Sequence, residues 1–241
     1  MRNGQNIGVI IPALNEEQAI GKVIAEIPDW VDRIIVVDNG SIDRTSQVAR
    51  QAGAKVVRED EPGYGAACLA GLAALPAVDV IVFLDGDYSD YPADMAVLTD
   101  PILNGRADLV IGSRVLGNCE RGALTPVQVF GNWLATRLIR LFWGEKFTDL
   151  GPFRAISAPA LDQIGMADRD YGWTVEMQVK AAQLGLRCKE EPVRYRNRIG
   201  TSKVSGTIRG SFKAGVKILS VIGWQALAGG SKRPVQAIDR P

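Results

Sequence analysis

The sequence predicts an α/β fold, a mainly parallel central sheet flanked by helices. Three observations carry this reading. Short apolar runs rich in β-branched residues alternate with segments of helical spacing, and 241 residues suffice for one large domain burying roughly 70% of its extended surface. Three of the apolar runs also end in acidic residues or their amides, so a parallel sheet would gather that chemistry along one edge.

The elements follow in order. Ile7–Pro12 is a strand that runs into Pro12-Ala13-Leu14-Asn15-Glu16-Glu17. There Asn15 can cap a helix over Glu16–Ile27, and Glu16 and Glu17 suit its positive N-terminus. Arg33–Asp38 is the second strand. Its polar turn, Asp38 to Thr45, offers Ser41 or Asp43 as caps for a helix over Thr45–Ala52 and leaves Asp38 at the sheet edge, open to a cap or a ligand. Lys55–Arg58 is the third strand, and Gly63–Ala74 is a small-residue helix able to pack closely on a sheet. The fourth strand, Val80–Asp85, ends in Asp85-Gly86-Asp87. This is either an Asp-Gly turn or a pair of carboxylates converging on one hard cation, Mg²⁺ or Mn²⁺. Leu109–Gly112 is the fifth strand, followed by Ser113 and the cation Arg114.

The second half is less regular. Val127–Trp143 has Phe130, Trp133, Leu134, Leu138, Leu141 and Phe142 at helical spacing, interrupted by Arg137 and Arg140, which predicts an amphipathic helix. Tyr171–Met177 opens another helix. Arg194, Arg196 and Arg198 follow a strand, either as a solvated edge or as a phosphate clamp with Ser202 and Lys203. A last apolar helix spans 211–230, its uncharged part falling short of the roughly 20 residues that cross a bilayer, so an interfacial or partner-binding helix is expected. Residues 231–241 form a loose tail.

Composition excludes several chemistries. The chain has no histidine, which removes histidine bases, Ser-His nucleophiles and histidine-ligated zinc. Cys68, Cys119 and Cys188 lie far apart and are odd in number, so neither a zinc ribbon nor a disulfide framework is expected. Lys+Arg 28 against Asp+Glu 27 suggests no nucleic-acid partner. With no apolar leader after Met1, the chain is expected on the cytoplasmic side, with peripheral contact at the inner face of the membrane through its last helix. Neither GxGxxG nor a P-loop follows the first strand.

Four motifs in order resemble those of family 2 glycosyltransferases: Ile-Pro-Ala-Leu-Asn-Glu-Glu (11–17), Val-Val-Asp-Asn-Gly-Ser-Ile-Asp-Arg-Thr (36–45), Gly-Tyr-Gly-Ala-Ala (63–67) and Leu-Asp-Gly-Asp (84–87). Thr148–Ala155, where Gly151-Pro152 replaces the family's Ser-Gly, resembles later motifs of polyprenyl- and dolichyl-phosphate sugar synthases, as do Tyr171–Met177 and Val193–Lys203. The resemblance implies a GT-A fold with a Rossmann-like sheet over 1–210, divided into a nucleotide-sugar half (1–115) and an acceptor half (116–210).

By position, it implies that Pro12, Ala13, Asn15 and Glu16 hold ribose and base, and that Asp38 contacts the base. Gly65 would lie near phosphate, and Asp85, Gly86 and Asp87 would form the DxD pair, with Asp85 and Asp87 meeting the metal. Asp38-Asn39 stands where many relatives carry two acids, leaving uracil and guanine both open. Arg114, Arg121, Arg198, Ser202 and Lys203 would hold acceptor and donor phosphates. The implied activity is inverting transfer of a sugar from a UDP- or GDP-sugar to a polyprenyl phosphate. A soluble enzyme using a hydroxyl or phosphorylated small-molecule acceptor is the alternative, and a noncatalytic nucleotide-sugar-binding protein is another. A phosphate acceptor needs no catalytic base, whereas a hydroxyl does. Among Asp149, Asp168, Asp170 and Glu176, the favoured bases are Asp149 and Glu176, each equally placed for a structural role. Either apolar helix could also form a homo-oligomer contact.

Overall fold

The computed structural model describes residues 1–200 and 208–228. Seven strands build one sheet: β1 (Ile7–Ala13), β2 (Arg33–Asp38), β3 (Lys55–Arg58), β4 (Val80–Phe83), β5 (Leu109–Ser113), β6 (Arg154–Ser157) and β7 (Cys188–Pro192). Their order is β3-β2-β1-β4-β6-β5-β7, and every pair is parallel except those made by β6, which runs antiparallel to both β4 and β5. The chain steps outward from β1 to β2 and β3, then returns to place β4 on β1's other side. That reversal opens a crevice between the C-terminal ends of β1 and β4, where open α/β sheets bind ligands.

Strand alternation explains the layers. Ile7, Val9, Ile11, Val36, Val80 and Val82 face one apolar core with helices α1 (Ile20–Ala25), α2 (Thr45–Gln51) and α4 (Met95–Leu103). Ile10, Ile35, Val37, Ile81 and Phe83 face the other, with α3 (Tyr64–Ala74), α5 (Pro126–Trp143), α6 (Ala158–Ile164), α7 (Trp173–Leu184) and α8 (Ile208–Ala228). A strand covered on both faces reads as a continuous apolar run, which is why these strands stand out in the sequence.

Several boundaries differ from expectation. The first helix begins at Ile20 rather than Glu16, because the backbone of 15–17 is drawn to the β2–α2 loop: Asn15 N–H donates to Ser41 Oγ and Glu16 N–H to Thr45 Oγ1. Asn15 therefore staples two loops instead of capping a helix. Its Oδ1 accepts from Ile42 N–H at 2.9 Å, and its φ is 54°. The fourth strand ends at Phe83, freeing Asp85-Gly86-Asp87 to turn. Helix α4 is masked in the sequence by Pro101 within its last turns. The last helix starts earlier than expected, at Ile208, and packs on α5 and α7. The expected tail, 231–241, lies outside the described residues, as do Ser202 and Lys203.

Candidate active site

The crevice at the β1–β4 switch is a cleft of ≈ 230 Å³ walled by Pro12, Ala13, Leu14 and Glu16 after β1 and by Asp85, Gly86 and Asp87 after β4, with Asn39, Tyr64, Tyr171 and Arg198 around its rim. Of the expected donor residues, Pro12, Ala13, Glu16, Asp85, Gly86 and Asp87 meet here. Gly86 sits where a Cβ would be 3.2 Å from Pro12 O and 3.3 Å from Ala13 Cβ, so the acid turn lies directly against the β1 loop.

Three expected donor residues are turned elsewhere. Asp38 is buried and bound to its own loop, accepting Ser41 N–H at 2.8 Å and the Ser46 hydroxyl, while its neighbour Asn39 faces the cleft. Asn15 serves the loop staple. Gly65 is required by packing of the chain on itself: a Cβ there would lie 2.0 Å from Asp168 O, and Ala66 N–H donates to Arg169 O at 2.8 Å. The close approach that its motif suggested is to the protein's own 168–169 backbone.

The acid pair is asymmetric. Asp87 is buried, its Oδ1 accepting from Ser89 N–H at 2.9 Å and Ser89 Oγ at 2.5 Å, its Oδ2 paired with Arg198 at 2.8 Å. Asp85 accepts from the Tyr64 hydroxyl at 3.1 Å. Burial, then the charge of Asp87, pushes the Asp85 carboxyl up to about 7. Behind them Asp90 is 1% exposed, its Oδ1 without a partner, its Oδ2 accepting Asp85 N–H at 3.3 Å. Burial, then the charges of Asp85 and Asp87, pushes its carboxyl well up. The turn is thus short of positive charge. Among the described residues no three acidic or cysteine side chains converge as a metal cage, so a hard cation at this pair would complete its shell with ligand oxygens.

Beyond the acid pair, basic and acidic residues are matched to each other. Arg114 grips Asp149 through Nε and Nη2 at 2.8 and 2.7 Å, and its guanidinium lies 5.1 Å from the Tyr195 ring centroid. Burial alone would raise the Asp149 carboxyl, but the charge and hydrogen bonds of Arg114 outweigh it and hold it below the usual carboxylate range. Glu176, 5% exposed, accepts N–H groups from Ala167 and Asp168 and pairs with Lys180 at 2.8 Å. Both favoured base candidates are therefore structural counter-ions in this geometry, and neither lines the cleft. Asp168 likewise pairs with Lys217 at 2.9 Å.

The arginine row divides. Arg194 pairs with Asp94, while Arg196 pairs with Glu26 and stacks on Tyr88 and Tyr91 at 3.3 and 4.1 Å. These contacts strap 193–200 over the acid turn, with Arg196 N–H donating to Ser89 O and Ile199 N–H to Asp87 O. Only Arg198 of the three reaches the cleft. Arg121 is exposed before α5, its carbonyl held by Asn197.

Sequence reasoning missed Tyr64 and Tyr171 as cleft residues, and Ser89 and Asp90 as the buried groups behind the acid pair. Tyr64 lies between the two glycines for which its motif stands out. Ser89 and Asp90 follow the acid pair at spacings that only the turn's backbone reveals.

A doubly wound sheet with a DxD acid pair at its switch point defines a class, the GT-A glycosyltransferases. The family model for glycosyl transferase family 2 matches residues 8–165, and the chain belongs to that family. It is 37% identical over 222 residues to an uncharacterized glycosyltransferase of Mycobacterium tuberculosis, covering 91% of this chain and 99% of that one. It is 32% identical to the dolichyl-phosphate hexose transferase of Haloferax volcanii, covering 83% and 86%. Among solved structures, glucosyl-3-phosphoglycerate synthase from Mycobacterium tuberculosis, in complex with Mn²⁺, UDP and glucosyl-3-phosphoglycerate, superimposes with a TM-score of 0.71 at 28% identity. That match covers 91% of this chain and 81% of the synthase.

Proposed function

We propose that this protein is an inverting, metal-dependent transferase that moves a sugar from a UDP- or GDP-sugar to a polyprenyl phosphate at the cytoplasmic face of a membrane. The observation that carries the acceptor assignment is the engagement of the carboxylates. Asp149, Asp168 and Glu176 are each bound to a cation and to backbone N–H groups, so a nucleophile that must be deprotonated finds little help here. A phosphate oxygen is anionic already and can attack in line, displacing the nucleotide diphosphate with inversion.

The acid turn supports the donor assignment. Asp85 and Asp87 are the residues that would hold Mg²⁺ or Mn²⁺, and a deficit of positive charge beside two converging carboxylates fits such an ion. When bound, the metal would stabilise charge developing on the departing diphosphate. Tyr64 orients Asp85, Ser89 fixes one oxygen of Asp87, and Pro12, Ala13 and Glu16 shape the nucleotide side of the cleft. Arg198 is the residue placed to exchange Asp87 for a phosphate, since its guanidinium already reaches the cleft rim. Arg121 and Lys203, with the Ser202 hydroxyl, would extend this phosphate-binding role by position in the sequence. The counterpart in Haloferax volcanii named as a dolichyl-phosphate transferase supports a lipid acceptor.

A second reading keeps the donor half and changes the acceptor to a soluble phosphorylated molecule. The glucosyl-3-phosphoglycerate synthase complex favours it, and Asp170 would then be the carboxylate left for a base. Product analysis separates the two. Purified protein with Mn²⁺ and a panel of UDP- and GDP-sugars is offered short polyprenyl phosphates or phosphorylated small molecules, and products are identified by mass. A sugar-1-phosphoryl-polyprenol is the expected product. Transfer confined to hydroxyl acceptors would overturn the lipid-phosphate assignment while leaving the family intact.

A further inference from the structure

Helices α5 and α8 pack on each other, with Ala135, Ile139 and Ile222 inside the shared core. A surface helix that buries one face normally turns a polar face to water. Here the outward stripes are apolar as well. On α5 they present Val127, Phe130 and Trp133, the two rings 61% and 50% exposed, and Leu141 at 73%; on α8 they present Val216, Leu219, Trp224 and Leu227. Positions 127, 130, 133, 137 and 141 fall on one side of α5, and 216, 219, 223 and 227 on one side of α8.

Charge identifies what covers this surface. The chain is nearly balanced overall, yet neither helix contains an acidic residue, and α5 carries the exposed cations Arg137 and Arg140 beside its outward rings. A second copy seated on the same face would bring these cations against themselves, because a two-fold interface pairs a patch with its own image. An anionic lipid surface instead complements them, and aromatic rings beside cations match the headgroup layer. Arg137 already lies over the Trp133 ring at 5.7 Å. Among the described residues no helix is long and apolar enough to cross a membrane, so the geometry is one of lying on the surface.

Helix α5 braces the Arg114–Asp149 pair, and α8 reaches the edge of the cleft. Asn132 of α5 donates to Thr148 O at 2.8 Å and accepts Leu150 N–H at 2.7 Å, bracketing the Asp149 that holds Arg114. From α8, Lys217 pairs with Asp168, and Val221 lies against Gly172, beside the cleft residue Tyr171.

We propose that the outward faces of α5 and α8 dock the protein on an anionic bilayer surface, with Phe130, Trp133, Trp224 and Leu227 entering the acyl boundary and Arg137 and Arg140 meeting lipid phosphates. This deepens the lipid-phosphate reading of the acceptor and rests on it for its purpose. The test floats the full chain, without donor or acceptor, on phosphatidylcholine vesicles with and without phosphatidylglycerol. Binding is expected only with the anionic lipid, and about tenfold weaker for the double variants Phe130→Glu/Trp133→Glu and Trp224→Glu/Leu227→Glu. Transfer to a short, water-soluble polyprenyl phosphate should stay within about twofold in the α5 variant, since those side chains lie outside the cleft.

Wild-type protein that fails to bind anionic vesicles, or binds the variants equally well, overturns the docking proposal. So does a dimer in solution that Phe130→Glu/Trp133→Glu converts to monomer. Vesicle binding without transfer to any polyprenyl phosphate would instead overturn the acceptor reading alone.

Discussion

Asp85 and Asp149 are both aspartates at the edge of the sheet, the first half-buried on the cleft wall and the second fully buried, and the fold gives them opposite electrostatics. Asp85 stands at the switch point with Asp87 and Asp90 nearby, and burial with like charge pushes its carboxyl up to about 7. Asp149 lies under the other half of the sheet, where Arg114 meets both of its oxygens and holds it low. The first arrangement lacks a matching counter-charge, which is what the proposed metal would supply. The second is complete. A carboxylate is marked as functional less by its burial than by whether the chain supplies its counter-charge.

This contrast can be broken most severely on the completed side. Asp149→Ala leaves Arg114 buried and unpaired, with an expected loss of about 3–5 kcal/mol in denaturant unfolding. A loss below about 1 kcal/mol would mean that Asp149 is not the counter-ion described here. Glu176→Gln keeps an acceptor for the Ala167 and Asp168 N–H groups but removes the negative charge that pairs with Lys180, so stability should fall by about 1–2 kcal/mol with the transfer rate within about threefold of wild type. A collapse of rate in the folded variant would restore Glu176 as a base.

On the incomplete side, Arg198 pairs with Asp87. Arg198→Gln removes the internal partner of Asp87, so Mn²⁺ affinity measured by electron paramagnetic resonance without donor should rise about tenfold while transfer falls. Unchanged affinity would show that the pair does not compete with metal.

The smallest expected effect concerns pH. The folded Asp85 carboxyl binds its proton more tightly than the unfolded one, whose pKa is about 3.9. Its contribution to stability is therefore full below pH ~4 and lost as pH rises through about 7. Asp85→Asn should melt higher than metal-free wild type at alkaline pH, and the gap should close toward pH ~4. Parallel melting profiles across that range would remove Asp85 from this role.

The donor side was legible because its logic is local. Apolar strands buried on both faces stand out in sequence, and Asp85-Gly86-Asp87 directly follows one of them. Where an expectation there failed, a longer-range contact had intervened: Asn15 and the start of α1 are set by the β2–α2 loop, and Gly65 by the 168–169 backbone. The other half is built from pairs distant in sequence. Arg114 with Asp149, Arg196 with Glu26 and Lys217 with Asp168 leave no spacing signature, so three arginines at alternate positions looked alike although only Arg198 faces the cleft. The antiparallel β6 carries a fully buried Arg154, whose guanidinium donates to the carbonyls of Gly151, Leu150 and Thr174, and a charged residue there disguised the strand.

We propose that the incomplete acid turn is where metal and donor diphosphate meet. Calorimetric titration of UDP- and GDP-sugars into the protein, with Mn²⁺ and then with chelator, tests it in wild type and in Asp87→Asn. Metal-dependent binding of one nucleotide series to wild type, weakened at least about tenfold by chelator and by Asp87→Asn, is the predicted result. Equal donor affinity in all three conditions would contradict it.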